Sequence, residues 1–211
     1  MTGTTTLDPA ATTTADEAPV RRHSVVATEV GDLTLVAEGD VLVGVYFAEH
    51  HPAPDPEAFG VPVDPAGDAV LGPAAEQLVD YVGGQRDGFD LPLRPVGSER
   101  ARQVWDLVAA VPRGSTTTYA ALGRAVGIGP RVAGQLVARN PLCVVLPCHR
   151  VVASDGRLTG YAGGVDRKRA LLQLEGALPE GATAVPKAPR TTEPLAAGTT
   201  GPALAEGSGP A

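Results

Sequence analysis

Cysteine is scarce in this chain: among 211 residues there are only Cys143 and Cys148. Two thiols cannot build a disulfide framework. With four scattered histidines they give no zinc-ligand spacing either. Adjacent His50 and His51 have no cysteine and no carboxylate at metal-binding spacing nearby, so no metal site is expected. Aromatic residues make up only 4% of the chain, although its 43% hydrophobic content supports a core. No apolar run approaches the ~20 residues of a helical membrane span. The first residues lack the basic-then-apolar layout of a signal peptide. A protein with reduced thiols, in the cytoplasm and away from membranes, is the expectation.

Net positive charge is also lacking. The formal charge of −7 argues at first against a nucleic-acid partner. Its distribution reverses that argument. Between Arg94 and Glu175 stand 12 Arg and Lys against 5 Asp and Glu, and elsewhere 5 basic residues face 19 acidic ones. Local charge, rather than the total, decides whether phosphates are attracted.

Organisation follows from composition. Residues 1–20 are Thr, Ala and Asp with few large apolar groups, and read as a disordered tail. Val25–Thr28, Leu33–Ala37 and Leu42–Phe47 are strand candidates, separated by turn residues at Gly31-Asp32 and Glu38-Gly39-Asp40. That pattern predicts an antiparallel meander. A Pro- and Asp-rich loop follows to Gly67, then a helix over 73–82 ended by Gly83-Gly84, then a strand over 89–93. Residues 21–94 thus read as a small α+β domain, and 95–177 as a second, mostly helical domain. After Gly176 the sequence turns to Ala, Pro, Gly and Thr, so 178–211 reads as a second disordered tail.

In the second domain Ser98 suits an N-cap. Val104, Leu107, Val108 and Val111 form a buried stripe, with Trp105 packing beside it. Thr118 caps a short helix whose Leu122, Ala125 and Val126 are expected to face inward. Gly127-Ile128-Gly129 makes a turn, and Pro130 opens a further helix to about Arg139. Helix, glycine-containing turn and helix outline a helix-turn-helix, or equally a plain packing unit.

The chemistry concentrates at Leu146-Pro147-Cys148-His149-Arg150-Val151-Val152. The apolar run Val144-Val145-Leu146 reads as a buried strand ending at Pro147, which cannot donate to a sheet ladder. A turn there lets Cys148 and His149 reach one pocket, where imidazole and guanidinium would lower the thiol pKa. Tyr161 sits between Gly160 and Gly163 in a loop that suits approach by a flat ligand. Asp166–Glu175 reads as a helix with Leu171, Leu172 and Glu175 on one face, aiming a carboxylate inward, where an imidazole is the expected partner.

Pro147-Cys148-His149-Arg150-Val151 between apolar flanks resembles the active-site motif of the O6-alkylguanine-DNA alkyltransferases (methylated-DNA–protein-cysteine methyltransferases). Residues 98–176 are similar to that family's catalytic domain, motif after motif. The resemblance implies a Cys148, water, His149 and Glu175 relay. It implies Tyr119 as the group supporting nucleotide rotation and donating a proton as guanine leaves. It places Arg131 on the recognition helix to fill the space of a flipped base, with small Ala133 and Gly134 permitting close docking. Asn140 holds the segment before the active site. Tyr161, Ala162 and Gly163 close over the base, and the Val151 carbonyl accepts from its exocyclic amine. The implied partner is double-stranded DNA containing O6-alkylguanine, with O4-methylthymine as a second lesion, met by a monomer without cofactor. The implied reaction is irreversible, one-step transfer to Cys148. Ala162 departs from a serine often found there, Cys143 from another small or rigid residue, and zinc-binding cysteines of some relatives are absent. A non-enzymatic lesion sensor of the alkyltransferase-like kind would lack the cysteine. A Cys-His hydrolase would leave the two-helix unit unexplained.

Overall fold

The computed structural model describes residues 20–185. Three antiparallel strands, β1 (Arg21–Val26), β2 (Leu33–Glu38) and β3 (Val41–Phe47), form the expected meander. β1 starts earlier than its apolar residues suggest. Its polar beginning is held by charge: Arg21 and Arg94 meet Glu38, and Arg22 meets Asp68. A two-residue strand β4 (Val61–Pro62) runs parallel to β1 inside the stretch read as loop, giving the order β3-β2-β1-β4. Helix α1 (Leu71–Val82) packs Leu71, Ala74, Leu78, Tyr81 and Val82 inward. The strand expected over 89–93 is not formed. Only Leu93 bridges to Leu42 of β3, because the prolines flanking it leave room for one rung.

The second half is helical. Ser98 caps α2 (Glu99–Ala109) by accepting from the Ala101 amide. Trp105 is buried and donates its indole N–H to the Leu136 carbonyl. A two-residue strand β5 (Thr117–Thr118) leads into α3 (Tyr119–Ala125), capped by Thr118, and then α4 (Pro130–Ala138) with Pro130 at its first turn. Leu122 is buried, but Ala125 is exposed, contrary to the expected stripe. The helix ends at Ala125, so the position beside its terminus faces out.

The segment before Cys148 is a buried turn, not a strand. Val144 takes a left-handed conformation at φ 71°. The Val145 amide bonds back to Cys143, and the Leu146 amide to Leu142. One rung ties it to the sheet, with Val45 donating to Pro141 and Cys143 donating to Val45. After Cys148 comes a strand β6 (Val151–Val152) parallel to β5, then helix α5 (Val165–Leu174), with Glu175 at its C-cap.

Most of the two expected tails lies outside the described residues. Residues 178–185 correct the expected boundary, because they are packed. Leu178 and Val185 join Val152 and Leu172 in a small second core. The Val185 amide bonds to Gly156, and Ala184 bridges to Arg157. Leu178 and Val185 are the large apolar side chains that fasten it, with Ala182 half-buried between them. Leu178→Ala is expected to cost about 2–4 kcal/mol in urea denaturation, and an unchanged midpoint would mean that this segment contributes no stability.

Candidate active site

Pro147 ends the buried turn, and Cys148–Arg150 form one 3-10 turn that turns three consecutive side chains into the protein. Cys148 is 4% exposed and His149 0%. The sulfur accepts from the Asn140 side-chain amide at 3.1 Å. The same amide donates to the Leu146 carbonyl at 2.9 Å, while the Asn140 oxygen accepts from the Leu142 amide at 3.0 Å. One buried side chain thereby fixes both ends of the turn and the nucleophile.

The Cys148 thiol is held below its ordinary pKa. The neighbouring Cys143 thiol is the largest cause, with the Asn140 amide and the Lys168 charge acting in the same sense. Burial opposes them. Cys143 is correspondingly pushed well up, so Cys148 is the readier of the two thiols to give up its proton. The buried Cys143 sulfur also lies 3.9 Å from His50 Nδ1.

His149 Nε2 lies 2.5 Å from Glu175 Oε1. An imidazole N–H donating to a carboxylate puts its proton on Nε2 and leaves Nδ1 as an acceptor. Nδ1 is buried and makes no hydrogen bond to the protein among the described residues. Burial holds the His149 pKa down against Glu175, so the ring is neutral and able to take a proton.

Glu175 has more partners than an imidazole. Arg150 donates from Nε to Oε2 at 2.8 Å and from Nη2 to Oε1 at 3.2 Å, and Tyr81 donates its hydroxyl to Oε1 at 2.5 Å. Burial alone would raise the carboxyl, but His149 and Arg150 outweigh it and bring the pKa to about 2. Because His149 is neutral, Arg150 is the lasting cation there. This corrects the expected role of Arg150: its guanidinium serves Glu175, Tyr81 and the Val111 carbonyl rather than the thiol.

The other expected residues divide. Tyr119 donates to the carbonyls of Thr159 and Gly160, both at 3.0 Å, and burial raises its pKa to about 12, so it keeps its proton. Tyr161 is set edge-on between the rings of His149, at 6.4 Å, and Phe47, at 5.9 Å, with Ala162 and Gly163 buried beside it. Arg131 is exposed on α4. Ala133 is not: it is 0% exposed, in the core, and cannot lie on a docking face. Gly134 is half-buried against the Tyr119 ring. The outward residues of α4 are Pro130, Arg131, Val132 and Gln135, with Arg139 exposed at its C-cap.

Val151 is 0% exposed, and its carbonyl accepts from Lys168 Nζ at 2.6 Å. Sequence reasoning missed Lys168, which is fully buried and also donates to the Thr159 carbonyl at 2.8 Å. Burial lowers its pKa to about 8, with the Cys148 thiolate opposing. The signal available was its place one turn before Leu171 and Leu172 on the buried face. Tyr81, the other omission, carried no signal beyond its apolar stripe. Among the described residues, no three His, Cys, Asp or Glu side chains gather as metal ligands, and no helix is long and apolar enough to cross a membrane.

A carboxyl held near 2 in the folded state contributes stability that is complete above its ordinary 4.5 and lost as pH falls through 2. Urea denaturation of the native protein is therefore expected to weaken between about pH 4.5 and 2 more steeply than that of Glu175→Gln. Parallel curves would put the acid sensitivity elsewhere.

Comparison with known proteins places this arrangement. Residues 99–177 match the family model described as the DNA-binding domain of 6-O-methylguanine DNA methyltransferase. A methylated-DNA–protein-cysteine methyltransferase of Mycobacterium tuberculosis is 34% identical over 162 residues, spanning 72% of this chain and 91% of the relative. One from Methanosarcina barkeri is 45% identical over 106 residues, 48% of this chain and 66% of the relative. The crystal structure of Mycobacterium tuberculosis OGT in complex with DNA superposes with a TM-score of 0.66 at 31% identity, covering 74% of this chain and 92% of the other.

Proposed function

The chain belongs to the methylated-DNA–protein-cysteine methyltransferase family, and we propose that it repairs O6-alkylguanine in duplex DNA by moving the alkyl group irreversibly onto Cys148. The observation that carries this reading is the buried His149–Glu175 pair beside a thiol held below its ordinary pKa.

His149, with its Nδ1 open, takes the Cys148 proton through a bridging water, and Glu175 stabilises the resulting imidazolium. The thiolate attacks the alkyl carbon. A carbon–sulfur bond forms as the carbon–O6 bond breaks, and the electron pair leaves with the guanine. A proton from Tyr119 neutralises that leaving group. Tyr119 suits this role because burial keeps it protonated, and the Lys168 ammonium, 3.4 Å from its hydroxyl, stands ready to resupply it. The product is a thioether. No group in the site activates water against a thioether, so each molecule acts once.

The alkyl carbon of a stacked base is out of reach, so the nucleotide must leave the duplex. α3 and α4 act as a helix-turn-helix whose exposed face carries Arg131, Gln135 and Arg139, with Arg124 exposed on α3. Arg131 fills the vacated stack. Gly134 and its neighbours allow the helix to lie close, while Ala133 serves only the packing beneath. The base rests between the Val151 carbonyl and the Tyr161–Gly163 loop. O4-methylthymine is a second, smaller substrate of the same pocket. The protein works as a monomer in the cytoplasm without a cofactor.

Incubation with a duplex containing one O6-methylguanine is expected to add a single methyl to Cys148, read by intact-protein and peptide mass. One equivalent of lesion should be repaired per protein. Cys148→Ala should bind the duplex and transfer nothing, and transfer by that variant would move the nucleophile elsewhere. Arg131→Ala should slow transfer from duplex by roughly 10-fold, about 1.4 kcal/mol, and leave transfer from free alkylguanine base unchanged. An equal loss on both substrates would deny it a part in extrusion.

A further inference from the structure

Each of the three loop residues Tyr161, Ala162 and Gly163 is held by a different contact, two from the amino-terminal half and one from Arg167. The Tyr161 ring meets Phe47 at the end of β3. The Ala162 carbonyl accepts from the His51 amide at 2.9 Å. The Gly163 carbonyl accepts from Arg167 Nη1 at 3.0 Å. Arg167 stands in α5, but its guanidinium reaches across: Nε donates to the Val30 carbonyl at 2.8 Å, and Nη1 meets Glu49 at 2.9 Å. The same group lies 5.0 Å over the Phe47 ring. Phe47 also dictates the glycine, because a β-carbon at Gly163 would overlap its ring.

We propose that Arg167 and Phe47 are positioning residues that set the Tyr161–Gly163 loop over the alkylated base, making the amino-terminal sheet part of the base-binding machinery. The inference rests on the alkyl-transfer reading above. Neither side chain is bonded to Cys148, His149 or Glu175. Their influence runs through Tyr161, which is packed between Phe47 on one side and His149 on the other. A planar, forked cation suits the task, since one guanidinium serves two carbonyls and a carboxylate while stacking on an aromatic face. The loop residues themselves supply no side-chain hydrogen bond that would fix them: the Tyr161 hydroxyl is buried without a partner among the described residues. Position is therefore imposed from outside the loop.

The test uses the full chain with Arg167→Leu, Arg167→Lys, Gly163→Ala and the double variant Gly163→Ala with Phe47→Leu. Arg167 is partly exposed, so its replacement leaves the core intact. Single-turnover transfer from an O6-methylguanine duplex is expected to need about tenfold more duplex for half-maximal rate in Arg167→Leu, with partial recovery in Arg167→Lys. Gly163→Ala should show a similar loss, relieved when Phe47→Leu makes room. The pH midpoint for carboxymethylation of Cys148 should stay at its native value, and faster hydrogen exchange should be confined to residues 160–164. Native half-saturation in Arg167→Leu would overturn the proposal. So would faster exchange that extends to residues 142–146 with a displaced midpoint, which marks general loosening. If the native protein transfers no methyl, the alkyl-transfer reading fails, and the exchange pattern still decides whether Arg167 holds the loop.

Discussion

The carboxylate of Glu175 is the point on which the second half of the molecule turns. A buried anion is tolerated only when its charge and lone pairs are met. Here an imidazole, a guanidinium and a phenol meet them, from two separate parts of the chain. Tyr81 comes from α1, Arg150 and His149 from the turn after the nucleophile, and Glu175 from the end of α5. Arg150 reaches onward to the end of α2 through the Val111 carbonyl. Removing the carboxylate would strand a buried cation, so the network orients the imidazole and locks the helices around it at once. Chemistry and architecture share one set of hydrogen bonds.

The amino-terminal sheet has an equally direct part. Strand β3 lies at its edge, and an edge leaves backbone groups to be satisfied. Leu93 pairs with one part of it and Leu142 with another. The second pairing puts the sheet under the segment that carries Cys148. Phe47, at the end of the same strand, meets the loop on the other side of the site. A domain without a nucleophile of its own thus frames the site above and below.

Local signals were well written in the sequence. Ser98, Thr118 and Pro130 mark helix starts because caps and first-turn prolines act within a few residues. Turn residues marked the meander for the same reason. The His149–Glu175 contact was legible only through the resemblance of a motif, since 26 residues separate the two. What escaped depends on the three-dimensional neighbourhood. Val144-Val145-Leu146 carries strand-forming side chains, yet the Asn140 amide and the rung to Val45 impose a turn. Ala133 reads as a small residue for a docking face, but the helix is rotated so that it meets the core. Lys168 looks like one of three consecutive basic surface residues. Its burial becomes intelligible only once the carbonyls of Val151 and Thr159 are seen to converge on it. The positive balance of the second half correspondingly overstates its surface charge, because Arg150 and Lys168 are spent inside.

Val144 constrains the approach to the sulfur by what it forbids. A β-branched residue at φ 71° sits where such residues are rarely found, at a cost of about 1–3 kcal/mol. Glycine would relieve the backbone, but it would leave a hole where a side chain only 1% exposed now packs. Asparagine would tolerate the dihedral angle and bring an amide into an apolar surrounding. Neither replacement satisfies both demands, so the bend that delivers the sulfur depends on a strained backbone and a filled cavity at one and the same residue.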